Sequence, residues 1–171
     1  NGKVEIIDEE SNKNILDIEL NDLRANISLL SQFPYLVPGS VFSNIRLKNT
    51  DISDEVIDDL LERLKINYLR NQQINENGQG ISTGEKRRIA LARILVNPKP
   101  IVILDEPTAS LDQDSEDLII QEIKNLAKNR IVIAATHHER LVNIANQKIE
   151  LNMNHKKLVG LNLWVMLSYL V

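Results

Sequence analysis

The stretch that most constrains the fold is residues 101–112, IVILDEPTASLD. Its first four residues are apolar, three of them are β-branched, and they follow prolines at positions 98 and 100. A short run of this kind is typical of a strand buried on both faces of a parallel sheet. The run ends on two adjacent carboxylates, Asp105 and Glu106. Ligands in α/β proteins bind at the carboxyl ends of parallel strands, so this position suits a functional site.

The two carboxylates need not share one role. Successive strand residues point to opposite sides, so one acid can lie near a metal ion and the other near a water molecule. Pro107 ends the strand because it has no N–H for the ladder. The alternative interpretation is a buried strand followed by a solvated acidic turn, and the string alone does not decide between the two.

The rest of the chain alternates strands with helices, which predicts an α/β fold with a mainly parallel sheet. Residues 41–96 interrupt this alternation and are predicted to form an inserted all-helical subdomain. The predicted strands are 3–8, 26–31, 101–104 and 130–136. The predicted helices are 51–69, 82–96, 115–128 and 140–145, with a short helix or turn at 41–47. A polar turn is expected at 9–14, and a final hairpin is expected to pair 148–151 with 157–159.

Composition limits the class of protein. The chain has 171 residues, of which 43% are hydrophobic and 26% charged, enough for one domain with a sizeable core. The net charge of -4 gives no sign of nucleic-acid binding. The sequence has no cysteine, so neither disulfides nor a cysteine-based metal site stabilises the fold.

A second informative stretch is ISTGEKRRIALARIL, residues 81–95. Ser82 and Glu85 have the spacing of a capping box, in which each side chain bonds the backbone N–H of the other residue. A helix that begins with Ser and Gly can also bind phosphate: Ser82 supplies a hydroxyl, Gly84 lets the backbone approach closely, and the helix dipole favours an anion. The pattern by itself predicts a capped amphipathic helix, and the functional interpretation adds a phosphate site at its N-terminus.

Together the two stretches resemble the signature motif and the Walker B strand of an ATP-binding-cassette (ABC) ATPase. The family's usual signature is LSGGQ; here Ile81 stands for the leucine, Thr83 replaces the first glycine and Glu85 replaces the glutamine. Other segments resemble further family motifs in the expected order. They are a Q-loop of the exporter type at 31–45, the exporter loop ENGQG at 76–80, a D-loop at 109–112 and a switch histidine at the end of 130–138.

The resemblance implies a P-loop NTPase-like core and a role for each matched residue. Asp105 would order Mg²⁺ and Glu106 would act as general base. Gln32 would contact both the Mg²⁺ and the attacking water, and His137 would be the switch histidine, with His138 the weaker candidate. The residues expected to contact ATP are Ser82, Thr83, Gly84, Glu85 and Asp112.

The resemblance further implies that the chain is an ATP-hydrolysing domain of an ABC exporter at the cytoplasmic face of the cell membrane. ATP and Mg²⁺ would lie between this domain and a second nucleotide-binding domain, identical or different, and closure would drive a transmembrane domain. No nucleic-acid partner is expected. The alternative is a non-catalytic, degenerate cassette that acts as an interaction module and donates only its signature face.

Two departures from the family pattern affect these expectations. A phosphate loop needs G-x-x-x-x-G-K-[ST], and the only Gly-Lys pair, Gly2-Lys3, is followed by a strand pattern. We therefore expect a fragment that begins after the phosphate loop and is inactive alone. Thr83 and Glu85 leave open whether the signature is active or degenerate, because one adds a Cβ and the other a negative charge.

The last twelve residues, 160–171, are almost all apolar. A membrane-spanning helix needs about 20 such residues, so this segment is too short for one. It could be a buried strand or helix, the start of a truncated membrane segment, or an artefact of translation, and we favour an artefact or a misplaced end. We therefore divide the chain into a partial ABC ATPase domain at 1–151 and an atypical apolar tail at 152–171.

Overall fold

The computed structural model describes residues 4–7, 12–47, 49, 51–76, 80–109, 111–150 and 162–166. Within these ranges the strands are β1 (Glu5–Ile7), β2 (Asn12–Asn14), β3 (Ile27–Leu30), β4 (Gly39–Ser40), β5 (Gln73–Ile74), β6 (Ile101–Asp105), β7 (Ile131–Ala135), β8 (Gln147–Glu150) and β9 (Asn162–Met166). The α-helices are α1 (Leu20–Asn26), α2 (Val41–Arg46), α3 (Asp54–Arg63), α4 (Thr83–Leu95), α5 (Gln113–Leu126) and α6 (Glu139–Val142).

The central sheet has the strand order β3-β6-β7-β9-β8. The first three strands are parallel neighbours, with Ile27 opposite Ile101 and Ile101 opposite Ile131. Strand β9 pairs antiparallel with β7, and β8 pairs antiparallel with β9. The sheet is therefore parallel over its first three strands, as the sequence predicts for an α/β fold.

Burial explains why β6 and β7 lie at the centre of this sheet. Val102 and Leu104 of β6 are fully buried, as is Val132 of β7. Helix α5, which links the two strands, buries Ile119 and Ile123 completely in the same core. Each apolar run thus forms an inner strand, and the polar residues that come at its end lie at the carboxyl edge of the sheet.

The helical insertion comprises α2, α3 and α4. Helix α3 buries Ile57 and Leu61 completely, and α2 contacts both α3 and α4. Helix α4 also contacts β3, so it links the insertion to the sheet. The insertion is not wholly helical, because β4 and β5 form a short antiparallel pair in which Gly39 lies opposite Ile74.

Three local predictions differ from the structure. The polar turn predicted at 9–14 contains β2, which pairs with β1 in an antiparallel ribbon. Helix α1 occupies a segment for which no helix was predicted. The final hairpin joins β8 to β9, whereas its predicted partner at 157–159 lies outside the described residues.

Strand β9 falls within the apolar stretch 160–171, so part of that stretch adopts the strand conformation that was one of the alternatives. No helix in the described part of the chain combines the length and the apolar character that a membrane crossing requires. The division into a domain at 1–151 and a tail at 152–171 stays a prediction.

Candidate functional site

The parallel strands bring four predicted site residues to one edge of the sheet. Leu30 of β3 lies opposite Leu104 of β6. Gln32 follows β3 by two residues, while Asp105 is the last residue of β6 and has Ala135 of β7 opposite it. Glu106 comes directly after Asp105, and His137 follows Ala135 by two residues. The residues at the ends of β3, β6 and β7 therefore lie at one edge of the sheet, and the side chains of Glu106 and His137 are in contact there.

Glu106 has an unusual backbone conformation. Its φ is +46°, in the left-handed region that non-glycine residues rarely adopt. Its N–H donates to the carbonyl of Ala135 at 2.8 Å, which holds it against the end of β7. Such strain costs on the order of 1–3 kcal/mol and persists only where surrounding contacts fix the residue, often at functional sites.

The Glu106 carboxylate is fixed by side chains from the neighbouring strand end. The Thr136 hydroxyl donates to Oε2 at 3.2 Å, and Nδ1 of His137 lies 2.7 Å from Oε1. The Glu106 side chain is only 13% exposed, whereas that of His137 is 66% exposed. A positioned and largely buried carboxylate lies beside an accessible imidazole, which is an arrangement suited to proton transfer.

The start of α4 forms the predicted capping box. The Glu85 N–H donates to Oγ of Ser82 at 3.2 Å, and the Ser82 N–H donates to Oε2 of Glu85 at 2.6 Å. Thr83, the first helical residue, is exposed.

The charge of Glu85 is stabilised within this chain. The Tyr68 hydroxyl donates to Oε1 of Glu85 at 2.6 Å. Burial raises the pKa of Glu85, but the hydrogen bonds from Tyr68 and Ser82 outweigh it, and the pKa lies below its ordinary value. Tyr68 was not predicted as a site residue, because its partner lies 17 positions away and no local pattern links them.

Arg87 is a second residue that sequence reasoning missed. It is 2% exposed, and its guanidinium donates to the carbonyl of Gln32 at 3.1 Å and to that of Ala109. Burial lowers the pKa of Arg87, while Glu106 and Asp105 act in the opposite direction. Its position three and four residues before Ala90 and Leu91 was the available signal, since this spacing puts it on the buried face of α4.

The first turn of α5 lies against the start of α4. Asp112 caps α5, since its carboxylate accepts from the Ser115 N–H at 2.9 Å and from the Ser115 hydroxyl at 2.8 Å. These bonds hold the pKa of Asp112 below its ordinary value. Arg88 of α4 donates to the same hydroxyl at 2.8 Å, and a Cβ added at Gly84 would lie 3.3 Å from Cδ2 of Leu111.

The predicted residues therefore form two groups, one at the strand ends and one at the starts of α4 and α5. Arg87 connects the groups through its bonds to the carbonyls of Gln32 and Ala109. A sequence profile described as "ABC transporter" matches residues 1–109. The chain belongs to the ABC transporter family. Domains of this family bind ATP, and ATPase activity is general among them.

Individual ABC proteins resemble this chain over most of its length. The glutathione/L-cysteine transport system ATP-binding/permease protein CydD of Bacillus subtilis (strain 168) is 33% identical over 150 residues, covering 80% of this chain and 26% of the relative. The ATP-dependent lipid A-core flippase of Neisseria meningitidis serogroup A / serotype 4A (strain DSM 15465 / Z2491) is 31% identical over 162 residues, covering 86% of this chain and 26% of the flippase.

A solved structure of a bacterial Atm1-family ABC exporter with ATP bound superposes with a TM-score of 0.71 at 25% identity. The superposition covers 77% of this chain and 24% of the exporter. This chain spans about a quarter of the length of each of these three ABC proteins. The fold and the family are thus those of an ABC exporter's nucleotide-binding domain.

Proposed function

We propose that this chain is part of the nucleotide-binding domain of an ABC exporter, that the full-length exporter binds and hydrolyses ATP at this domain, and that hydrolysis drives transport across a membrane. The observation that best supports the proposal is the Glu106 carboxylate, held by Thr136 and His137 at the carboxyl end of β6. In this account Glu106 accepts a proton from the attacking water, and His137 donates a hydrogen bond to a phosphate oxygen.

Asp105 and Gln32 are the proposed Mg²⁺ ligands. A carboxylate and an amide oxygen are the hard donors that Mg²⁺ prefers, and the two residues lie at the ends of paired strands: Asp105 is the last residue of β6 and Gln32 follows β3 by two residues. When bound with ATP, the ion neutralises charge on the phosphates. Asp105 is half-buried, and its charge opposes the lowering of the Arg87 pKa by burial.

The start of α4 is the proposed contact with the ATP of a second nucleotide-binding domain. Ser82, Thr83 and Gly84 lie at the N-terminus of a 13-residue helix, which attracts phosphate. In this account Glu85 stabilises that turn rather than opposing the phosphate, because its charge is already bonded to Ser82 and Tyr68. Asp112, which caps α5 beside this turn, is proposed to lie at the boundary between the two domains.

The remaining partner in this proposal is a transmembrane domain, which places the chain at the cytoplasmic face of the cell membrane. CydD of B. subtilis, whose name joins "ATP-binding" to "permease", supports such a partner. A non-catalytic interaction module is the second candidate, because the 171 residues contain no G-x-x-x-x-G-K-[ST] string. Such a module would donate only the α4 start to an active partner.

The deciding experiment is steady-state ATP hydrolysis by the transporter carrying Glu106→Gln. Loss of the proton acceptor should lower turnover by at least about 10²-fold. Glu139→Gln, the same chemical change at an exposed residue of α6, is the matched control and should hydrolyse ATP normally. Unchanged turnover in Glu106→Gln would refute the catalytic assignment. The interaction module would be favoured by a different result. The wild-type protein would then not hydrolyse ATP itself, and Ser82 would be required for ATP hydrolysis by its partner.

A further inference from the structure

Three metal-ligating side chains meet beyond the ends of β6 and β7. Glu106, His137 and His138 each offer a ligand atom, and these atoms lie within 4.8 Å of one another. The imidazole rings of the two histidines have centroids 4.6 Å apart, with 45° between their planes. We propose that the three side chains bind a divalent transition-metal ion, and that Zn²⁺ is the ion that fits them best.

The position of the two histidines beyond the strand end allows both side chains to bind one ion. In an extended strand, neighbouring side chains point to opposite sides. Strand β7 ends at Ala135, and the His138 N–H then donates to Oγ1 of Thr136 at 3.1 Å. His138 lies three residues beyond the end of β7, outside its ladder, and the centroid of its ring is 4.6 Å from that of His137.

The donor set selects the class of ion. Two imidazoles and one carboxylate form a three-residue set of the kind that holds Zn²⁺ with one open coordination position. Zinc distances of about 2.0–2.2 Å put tetrahedral ligand atoms about 3.3–3.6 Å apart, so the site closes through small side-chain rotations. Mg²⁺ prefers oxygen ligands, which separates this site from the one proposed at Asp105 and Gln32.

A further carboxylate lies behind His138. Oε1 of Glu116 is 3.7 Å from Nδ1 of His138, and Arg140 holds the other Glu116 oxygen at 2.8 Å. Carboxylates beside metal-binding histidines orient the ring and strengthen it as a ligand. In the proposed site, Nδ1 of His138 faces Glu116 and Nε2 binds the ion.

One consequence rests on the proposed function. An ion at this site would occupy both the Glu106 carboxylate and the His137 imidazole, so Zn²⁺ should inhibit ATP hydrolysis. The metal site itself does not depend on that function, and its test contains no nucleotide. Failure of the metal site and failure of the catalytic proposal are therefore separate results.

The test is titration of the full 171-residue chain with Zn²⁺ by isothermal titration calorimetry, with Co²⁺ visible absorption as a spectroscopic probe of coordination. We expect one Zn²⁺ per chain and intense four- or five-coordinate Co²⁺ bands. His138→Gln should weaken Zn²⁺ binding at least about tenfold and remove the Co²⁺ bands. His155→Gln is the matched control, because His155 is the remaining histidine of the sequence and should leave binding unchanged.

Circular dichroism establishes that each variant is folded. If His138→Gln does not fold, Glu106→Gln replaces it and should weaken Zn²⁺ binding by a similar factor. The absence of Zn²⁺ binding to the wild-type chain would overturn the proposal. So would binding that is lost in His155→Gln and retained in His138→Gln.

Discussion

Nδ1 of His137 lies 2.7 Å from Oε1 of Glu106, and this contact joins the ends of two neighbouring parallel strands. The other carboxylate oxygen accepts from Thr136, which directly follows the same strand as His137. The position of Glu106 is therefore set by β7 as much as by its own strand. We therefore expect a substitution or displacement of Thr136 or His137 to move the Glu106 carboxylate.

The first prediction concerns Ser82. Ser82→Ala removes a helix cap, so the free energy of unfolding should fall by about 0.5–2 kcal/mol. Ser40→Ala is the matched control, because Ser40 caps α2 through the Ser43 N–H at 3.0 Å without any proposed phosphate contact. The two variants should show a similar decrease in unfolding free energy in chemical denaturation. Only Ser82→Ala should also lose ATP hydrolysis.

Ser82→Arg extends the same test by adding bulk and charge where the second domain is proposed to bind. It should leave ATP binding to its own subunit nearly unchanged and block ATP-driven dimerisation, measured by size-exclusion chromatography. Unaltered hydrolysis, or an unfolded domain, would show that Ser82 only caps the helix.

The second prediction concerns Arg87. Arg87→Met removes the donors to the carbonyls of Gln32 and Ala109 in a buried position, which should lower the free energy of unfolding by about 1–3 kcal/mol. Because the segments after β3 and β6 are then no longer connected, hydrolysis should fall more than ATP binding. Arg70→Met, at an exposed arginine paired with Asp58, should leave hydrolysis unchanged. Equal losses of binding and hydrolysis in Arg87→Met would indicate a purely structural role.

The third prediction is a pH dependence carried by Tyr68 and Glu85. The pKa of Glu85 lies below its unperturbed 4.5, so its contribution to stability is present above pH 4.5 and is lost as pH falls through the folded-state value. The pKa of Tyr68 is raised above 10.0, first by its bond to Glu85, so that contribution is present below pH 10 and is lost at higher pH.

Tyr68→Phe should therefore lower the unfolding free energy between about pH 5 and 10, by about 0.5–1 kcal/mol, since Tyr68 is 65% exposed. The difference from wild type should shrink below pH 4. Tyr35→Phe, at a tyrosine that is 69% exposed, is the control and should show no such profile. Chemical denaturation at several pH values measures the unfolding free energy of both variants. A difference between Tyr68→Phe and wild type that does not depend on pH would contradict the role of the bond between Tyr68 and Glu85.

The strand-end group was predictable because its signals are local. Ile101–Leu104 and Ile131–Ala134 are apolar runs that suit inner parallel strands, and in-register strands bring the residues that follow them to one edge. The capping box of Ser82 and Glu85 was likewise predictable, because it needs only a spacing of three residues.

Contacts between distant segments were not predictable in this way. The bonds of Arg87 to Gln32 and Ala109 span 55 and 22 positions, and only the packed fold brings these groups together. Strand β2 was predicted as a turn because Asn and Lys are poor strand formers, yet pairing with β1 overrides that preference. Helix α1 was missed because its residues lead directly into a strand pattern, and the predicted strand, 26–31, includes the last residue of the helix, Asn26.

The fourth prediction concerns nucleotide affinity of the 171-residue chain by itself. A phosphate loop supplies a lysine and a nest of N–H groups, and this sequence has no such string. We expect no Mg·ATP binding in the micromolar range by isothermal titration calorimetry. Micromolar affinity would mean that residues other than the proposed ones hold the phosphates.

The central claim is that Glu106 activates water at a site closed by a second domain. Its most direct measurement is the fate of radiolabelled ATP occluded by the transporter carrying Glu106→Gln. The account predicts a stable closed dimer that retains uncleaved ATP, because binding groups remain while the proton acceptor is gone. Occluded ADP and phosphate, formed at the wild-type rate, would contradict it.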